Sequence, residues 1–210
     1  MTRFFLVRHG ETEWNRIHRI QGSSDIPLND TGRSQALKVG GVLSRHRFDL
    51  IVSSPLSRAM ETATIIARRL RMPLPLPLPA IVERHYGEAE GATREDLDAR
   101  FPGNTPVPGR EPREDVHKRV IRALGDLAIR HPHADIIAVT HGGVIRSVVE
   151  HAAPGQYNEP IRNCSVHSFS HTPGGVQLIE FDDPMETIAR TLAREDFTEQ
   201  NPSEARDRAS

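Results

Sequence analysis

Three short, continuous apolar runs set apart by helical patterns constrain this chain more than any other feature. Phe4-Phe5-Leu6-Val7 lies between Arg3 and Arg8, a second run spans Phe48 to Val52, and a third, Asp135 to Thr140, reads DIIAVT. Runs of this length without polar alternation suit strands buried on both faces. Helical spacing fills the gaps. Asn29-Asp30-Thr31-Gly32 offers a helix start ahead of Ala36, Leu37, Val39, Val42 and Leu43. Ser54-Pro55 offers another, with Ser54 as N-cap, Pro55 as first helical residue, and Ala59, Thr62, Ala63, Ile66 and Leu70 facing inward. Shorter helices are predicted over 93–101 and from Gly143 to His151, and a longer one over 112–130 on Val116, Val120, Leu124 and Leu127. Strands alternating with helices imply right-handed crossovers. The fold expected is therefore α/β: a three-layer α/β/α sandwich with a mostly parallel central sheet and helices on both faces.

The remaining segments fit that frame. Residues 11–29 are polar and read as loop, and 102–112 as a Pro/Gly loop. Residues 72–80, MPLPLPLPA, carry proline at alternate positions, which removes alternate N–H donors and holds the chain extended. That suits an edge strand or connector; a ligand for a polyproline-binding domain is the other reading. Ser165–Ser170 and Val176–Phe181 flank Thr-Pro-Gly-Gly and look like a hairpin. No repeat or linker interrupts the chain, so residues 1–197 are expected to form one domain. Ten of the last 27 residues are charged. Met185, Ile188 and Leu192 can hold a helical turn or two, and 198–210 is expected to be disordered.

Composition excludes several classes. With 27 basic and 28 acidic residues the formal charge is -1, which argues against a general nucleic-acid binder. No apolar run reaches the roughly 18 residues of a membrane span. The opening apolar stretch is too short for a signal peptide, and the expected compartment is the cytoplasm. A single cysteine, Cys164, rules out an internal disulfide and most zinc sites. Of the 27 basic residues only Lys38 and Lys118 are lysine. Compositional bias accounts for this arginine excess, but so does a local anion pocket, since guanidinium grips phosphate oxygens bidentately. Position decides between them.

In an open α/β sheet, ligands bind at the carboxyl ends of the strands. Three strand ends here carry unusual residues: Arg8-His9-Gly10-Glu11, Ser54-Pro55 leading to Arg58, and Thr140-His141-Gly142-Gly143. Arg58 falls in the first turn of a helix, where the dipole penalises a cation by a few tenths of a kcal/mol. A bound phosphate reverses that sign. Two histidines and two arginines at one sheet edge make an anion site with a nucleophile available, because neutral imidazole can attack phosphorus. The arginines then stabilise the transition-state charge. Other phosphate chemistries fail: no G-x-x-x-x-G-K-[ST] loop occurs, and Ser170 stands six residues after Cys164 where a cysteine-phosphatase loop needs arginine. His131 and His133 flank Pro132 with nothing nearby to complete a metal set.

The ordered set LVRHGETEWN, Gln21-Gly22, LNDTGRSQA, SSPLSRAMETA, ERHYGEAEG and VTHGG resembles the histidine phosphatase superfamily, with its phosphoglycerate mutase-like fold. The resemblance implies that His9 is the phosphorylated nucleophile and that Arg8, Arg58 and His141 surround the phosphoryl oxygens. It implies phosphate or substrate contacts for Asn15, Gln21, Gly22, Arg84, Tyr86 and Gly142. Glu83 matches the general acid that protonates the leaving oxygen, with Glu88 and Glu90 as weaker rivals; Glu11 and Glu13 are left outside the site. No metal and no cofactor are implied. The partner expected is a small phosphorylated substrate, with neither nucleic acid nor membrane involved, and a homodimer is left open.

Phosphatases and mutases share this phosphohistidine. Glu83-Arg84-His85-Tyr86-Gly87 resembles the mutase branch, but Gly91 then leads to Ala92-Thr93-Arg94 where mutases continue to an Asn-Lys pair. Only 57 residues separate Glu83 from His141, too few for the insertion that closes over a mutase substrate. A mutase must keep water from its phosphoenzyme. The expectation is a metal-independent phosphomonoesterase, with a bisphosphoglycerate-dependent mutase as the alternative. Gly109-Arg110-Glu111 departs from the Gly-Gly-Glu-Ser common among the phosphatases. Residues near 16–24, 84–94 and 102–113 should set specificity.

Overall fold

The alternation within strand β1 (Thr2–Arg8) decides how the layers form. Successive side chains of a strand point to opposite faces. Phe4 and Leu6 enter one core, with the long helix α5 (Arg113–Arg130) and α6 (Gly142–Ala152). Phe5 and Val7 enter the other, with α2 (Asp30–Leu43) and α3 (Ser57–Leu70). Strand β4 (Asp135–Thr140) divides in the same way, Ile136 and Ala138 to the first face, Ile137 and Val139 to the second. All of these sheet residues but Phe5 are at most 1% exposed. Full burial of such a side chain contributes about 1.5–3 kcal/mol. Apolar runs without alternation are thus what a sheet covered on both sides requires.

The structure, a computed structural model, describes residues 1–183; Met185, Ile188, Leu192 and the tail 198–210 lie outside the described residues. Strands β2 (Leu50–Ser53), β3 (Leu76–Pro77), β5 (Val166–Thr172) and β6 (Gly175–Glu180) complete a sheet of order β3-β2-β4-β1-β5-β6. The pairs β3·β2, β2·β4 and β4·β1 are parallel. The β5–β6 hairpin joins antiparallel on the β1 side. The chain visits β1, crosses to β2 and returns to place β4 between them. The carboxyl ends of β1 and β4 therefore lie side by side, with Arg8 opposite Thr140. His9 and His141 are the next residue on each.

The expected three-layer sandwich is present, and local departures have physical causes. Residues 12–17 are not all loop: Thr12 caps a helical turn, α1 (Glu13–Arg16), through a capping box with Asn15. Helix α3 begins at Ser57 with Leu56 at the N-cap, not at Ser54 and Pro55. The Ser54 hydroxyl is engaged instead by His141 Nε2 at 2.8 Å. Leu37 lies outside the buried stripe of α2, 57% exposed. The proline-rich segment pairs β3 with β2 at the sheet edge, the place that tolerates missing donors. Cys164 is buried in the second core, and burial pushes its thiol up to about 12. No described helix is long and apolar enough to cross a membrane.

A third cluster gathers Ile20, Tyr86, Ala89, Ala92, Leu97, Phe101 and Val107. It ties the loop ahead of α2 to the segment carrying the short helix α4 (Arg94–Arg100), which Thr93 caps with a second capping box. The Tyr86 hydroxyl reaches the first turn of α6. The cluster therefore stands beside the carboxyl end of β4.

Candidate active site

His9 follows β1 directly and is 3% exposed. Its Nδ1 lies 2.7 Å from the Gly10 carbonyl, which can only accept, so Nδ1 carries the proton. The lone pair is left on Nε2. Burial, then Arg58, then Arg8 hold this imidazole well below the usual histidine value, so it is neutral at pH 7. The turn after it is fixed from both sides. Gly10 N–H donates to Thr62 Oγ1 on α3 at 3.0 Å, and a Cβ on Gly10 would sit 2.4 Å from the Gly32 carbonyl of α2. Only glycine lets α2 pack that closely.

His141 ends β4, wholly buried, its ring centroid 5.2 Å from that of His9. Its Nε2 lies 2.8 Å from the Ser54 hydroxyl, and its Nδ1 is buried with no hydrogen-bond partner. Burial, Arg58, His9 and Arg8 together keep this ring neutral as well. Arg58, in the first turn of α3 as the sequence placed it, is wholly buried. Its two terminal nitrogens donate to the carbonyls of Ser24 (2.8 Å) and Gly22 (2.7 Å), and Nε has no partner. Burial lowers its pKa to about 10, against the opposing pull of Glu83, Asp25 and Glu90, so it remains a cation at neutral pH. Arg8 donates through one nitrogen to the Ile161 carbonyl at 2.6 Å.

The other predicted residues divide by what they touch. Glu83 is 6% exposed and accepts N–H bonds from Arg84 (2.8 Å) and Gly143 (3.1 Å). Gly142 opens α6 and packs beside Arg8, while Gly143 makes the contact to Glu83. Gln21 accepts from the Thr12 hydroxyl at 2.8 Å, leaving buried Nε2 without a partner. Asn15 uses Oδ1 in the α1 capping box, and Asn163 Nδ2 bridges that oxygen (3.3 Å) to the His9 carbonyl (3.0 Å). The Arg84 guanidinium lies 5.7 Å from the centre of the wholly buried Tyr86 ring. Gly22 serves the site through its carbonyl on Arg58.

Of the rival carboxylates, Glu90 is committed to the loop. It accepts from the N–H groups of Gly22, Ser23, Ser24 and Tyr86 and from the Ser24 hydroxyl. Burial opposes its charge, but the Ser24, Ser23 and Tyr86 donors outweigh burial and hold it below the usual carboxylate range. Glu90 therefore shapes the loop that takes both nitrogens of Arg58. Glu88 is exposed and pairs with Arg100 at 3.5 Å, Glu13 pairs with Arg16, and Glu11 accepts from Asn29. Among the described residues no group of three His, Cys, Asp or Glu is placed to hold a metal.

One functional pair escaped sequence reasoning. Arg119 on α5 donates to the carbonyls of Ala80 (2.6 Å), Val82 (2.9 Å) and Glu83 (3.3 Å). Its other bonds go to both carboxylate oxygens of Glu111, at 2.8 and 3.1 Å. The Glu111 backbone and side chain in turn bind Arg84 and His85. The pair clamps the segment that presents Glu83 and Arg84. The only sequence signal was the Gly-Arg-Glu run noted as a departure. Arg119→Ala is expected to destabilise the fold by about 2 kcal/mol, the order of a hydrogen bond to a charged group. It should also lower kcat roughly tenfold through misplacement of Glu83. Urea unfolding and steady-state kinetics check both effects; Arg119→Lys should recover little, since it lacks the fork.

Gly143 gives a sharper expectation. A Cβ there would lie 2.7 Å from Glu83 Oε1 and 3.2 Å from the Tyr86 hydroxyl. Gly143→Ala should displace the carboxyl and lower kcat by roughly 10²-fold. Circular dichroism should show the fold retained; unchanged kcat would remove Glu83 from the reaction.

The fold and this cluster of two neutral imidazoles and two buried guanidinium groups define a phosphoryl-handling α/β protein. Residues 4–184 match the family model of the histidine phosphatase superfamily, branch 1, and the chain belongs to that family. It is 38% identical over 155 residues to the uncharacterized phosphatase PhoE of Bacillus subtilis, covering 74% of this chain and 79% of that protein. It is also 38% identical over 177 residues to phosphoglycerate mutase-like protein 4 of Arabidopsis thaliana, covering 78% and 77%. The solved structure of a mycobacterial glucosyl-3-phosphoglycerate phosphatase with VO3 superposes with a TM-score of 0.76 at 28% identity, covering 85% of this chain and 98% of that one.

Proposed function

We propose that the chain is a metal-independent phosphomonoesterase that hydrolyses a small phosphorylated metabolite through a phosphohistidine at His9. The observation that carries this reading is a neutral, buried His9 beside Arg58 and His141, whose Nε and Nδ1 respectively are buried without hydrogen-bond partners. An unsatisfied buried donor costs about 1–3 kcal/mol. A phosphoryl group brings the oxygens such groups lack, and its charge matches Arg8 and Arg58.

The steps follow from the groups present. His9 Nε2 attacks phosphorus; the N–P bond forms as the P–O bond to the leaving group breaks, and Glu83 gives that oxygen its proton. Arg8, Arg58 and His141 stabilise the charge on the phosphoryl oxygens. In the second half, water attacks phosphorus, Glu83 takes its proton, the N–P bond breaks and phosphate leaves. The same carboxyl thus serves as acid and then base.

Relatives named as phosphatases and the short span between Glu83 and His141 support hydrolysis over mutase chemistry. The buried Arg84–Tyr86 pair within Glu83-Arg84-His85-Tyr86-Gly87 is the observation that favours the mutase reading. A panel of phosphorylated metabolites, assayed with and without chelator and with His9→Ala as blank, tests the proposal. Hydrolysis that needs His9 and ignores chelator is expected. Activity lost on chelation, or rapid conversion of 3-phosphoglycerate to 2-phosphoglycerate with bisphosphoglycerate primer, would contradict it.

A further inference from the structure

Ser54 precedes helix α3 without capping it. Leu56 is the N-cap and makes no side-chain bond; Asp25 Oδ1 instead accepts from the Ser57 N–H and the Ser57 hydroxyl, each at 2.7 Å. A distant carboxylate thus serves the helix start, the role that sequence alone would give to Ser54. The sheet supplies Ser54 with a different partner. Strands β2 and β4 run parallel with Ser53 opposite Val139, and the Ser54 N–H donates to the Val139 carbonyl at 2.9 Å. With the two strand ends fixed side by side, Ser54 Oγ stands 2.8 Å from His141 Nε2. Both residues are wholly buried.

We propose that Ser54 is a positioning residue: its hydroxyl donates to His141 Nε2 and so holds the His141 proton on Nδ1, where a phosphoryl oxygen can accept it. This rests on the proposed phosphatase reading, in which His141 stabilises those oxygens, and names the group that orients it.

Counting protons decides which partner donates. A serine hydroxyl has one hydrogen and two lone pairs. One lone pair takes the Leu56 N–H at 3.4 Å, a group that can only donate. Among the described residues, His141 Nε2 is the acceptor within reach of the hydroxyl hydrogen. The opposite tautomer would aim two donors at Oγ and leave that buried hydrogen without an acceptor. It would also leave a bare lone pair on Nδ1, which is the ring nitrogen that Ser54 does not occupy. The oxygens of a phosphate dianion are acceptors, so they need a proton there. Burial, with Arg58, His9 and Arg8 adding to it, keeps the ring neutral, so only one of its nitrogens carries hydrogen.

Two measurements decide the matter. The first is NMR of protein labelled in its histidine nitrogens, at pH 7, with His141 assigned by its absence from His141→Gln. The parent should show a protonated, pyrrole-type Nδ1 and a pyridine-type Nε2, and inorganic phosphate should shift the Nδ1 signal while Nε2 stays pyridine-type. In Ser54→Ala the Nε2-protonated form should appear. The second is kcat/KM for para-nitrophenyl phosphate, which Ser54→Ala should lower at least about tenfold, the order of one hydrogen bond. Ser54→Thr, which keeps the hydroxyl, should keep the parent tautomer and lose less. A proton on Nε2 in the parent overturns the proposal, even if Ser54→Ala fails to fold. So does a Ser54→Ala protein with the parent tautomer or the parent rate, and the phosphatase reading then stands as long as hydrolysis requires His9. Hydrolysis that survives His9→Ala overturns that reading and the positioning role with it.

Discussion

Replacing His9 by alanine is expected to lower kcat/KM for para-nitrophenyl phosphate by roughly 10³-fold or more, the scale on which loss of a covalent nucleophile is read. The reason is structural as well as chemical. His141, the ring that packs against His9, is held through Nε2 at 2.8 Å from the Ser54 hydroxyl and is not positioned as a replacement by any change at residue 9. Arg8 and Arg58 remain, so binding of inorganic phosphate should survive while turnover is lost. The two readouts together separate loss of the nucleophile from collapse of the pocket. A variant that turns over at the parent rate would remove His9 from the chemistry.

Acid should destabilise this protein well above the carboxylate range. His167 on β5 is wholly buried, its Nδ1 accepting from Asp182 N–H and its Nε2 beside the Ser165 hydroxyl. Burial, with Arg146 adding to it, lowers its pKa to about 3. A histidine with a depressed folded-state pKa stays neutral in the native state while the unfolded chain takes up a proton. Stability is therefore fully present above about pH 6.5 and is lost as pH falls from there toward the folded pKa. At pH 5, His167 alone should cost about 2 kcal/mol. His9 and His141 are shifted in the same direction and add to that loss. Urea unfolding at pH 7 and pH 5 measures the difference, and His167→Gln should reduce it. Equal stability at the two values would mean that these rings are not held neutral.

For activity the same shifts have another consequence. The proposed attack needs neutral His9, and burial holds that ring's pKa well below the usual histidine value. The acidic limb of kcat/KM should therefore not show an ordinary histidine titration.

Much of this site was legible because its residues sit where backbone rules leave few options. Buried runs ending in Arg8-His9-Gly10 and Thr140-His141-Gly142 had to share one edge once a parallel sheet was inferred; that β1 and β4 are neighbours came from the structure. Arg58 stood out because a cation in a helix's first turn opposes the dipole. The misreadings have a common cause in partners far along the chain. Ser54 had every local property of an N-cap, but His141, 87 residues away, engages its hydroxyl. Glu90 looked like a rival acid until five donors from residues 22–24 and 86 closed around it. Glu111 stood out only within the Gly-Arg-Glu run and Arg119 within α5 not at all, because nothing nearby in sequence announces that they clamp 80–85. Periodicity finds faces; it does not find which distant carbonyl a guanidinium will meet.

The most direct measurement is acid-free quenching of the enzyme during turnover, followed by peptide mass analysis. One phosphoryl group is expected on the peptide containing His9, stable to alkali and labile to acid, and absent from His9→Ala. A phosphoryl group on any other residue, or hydrolysis proceeding with none on His9, would contradict it.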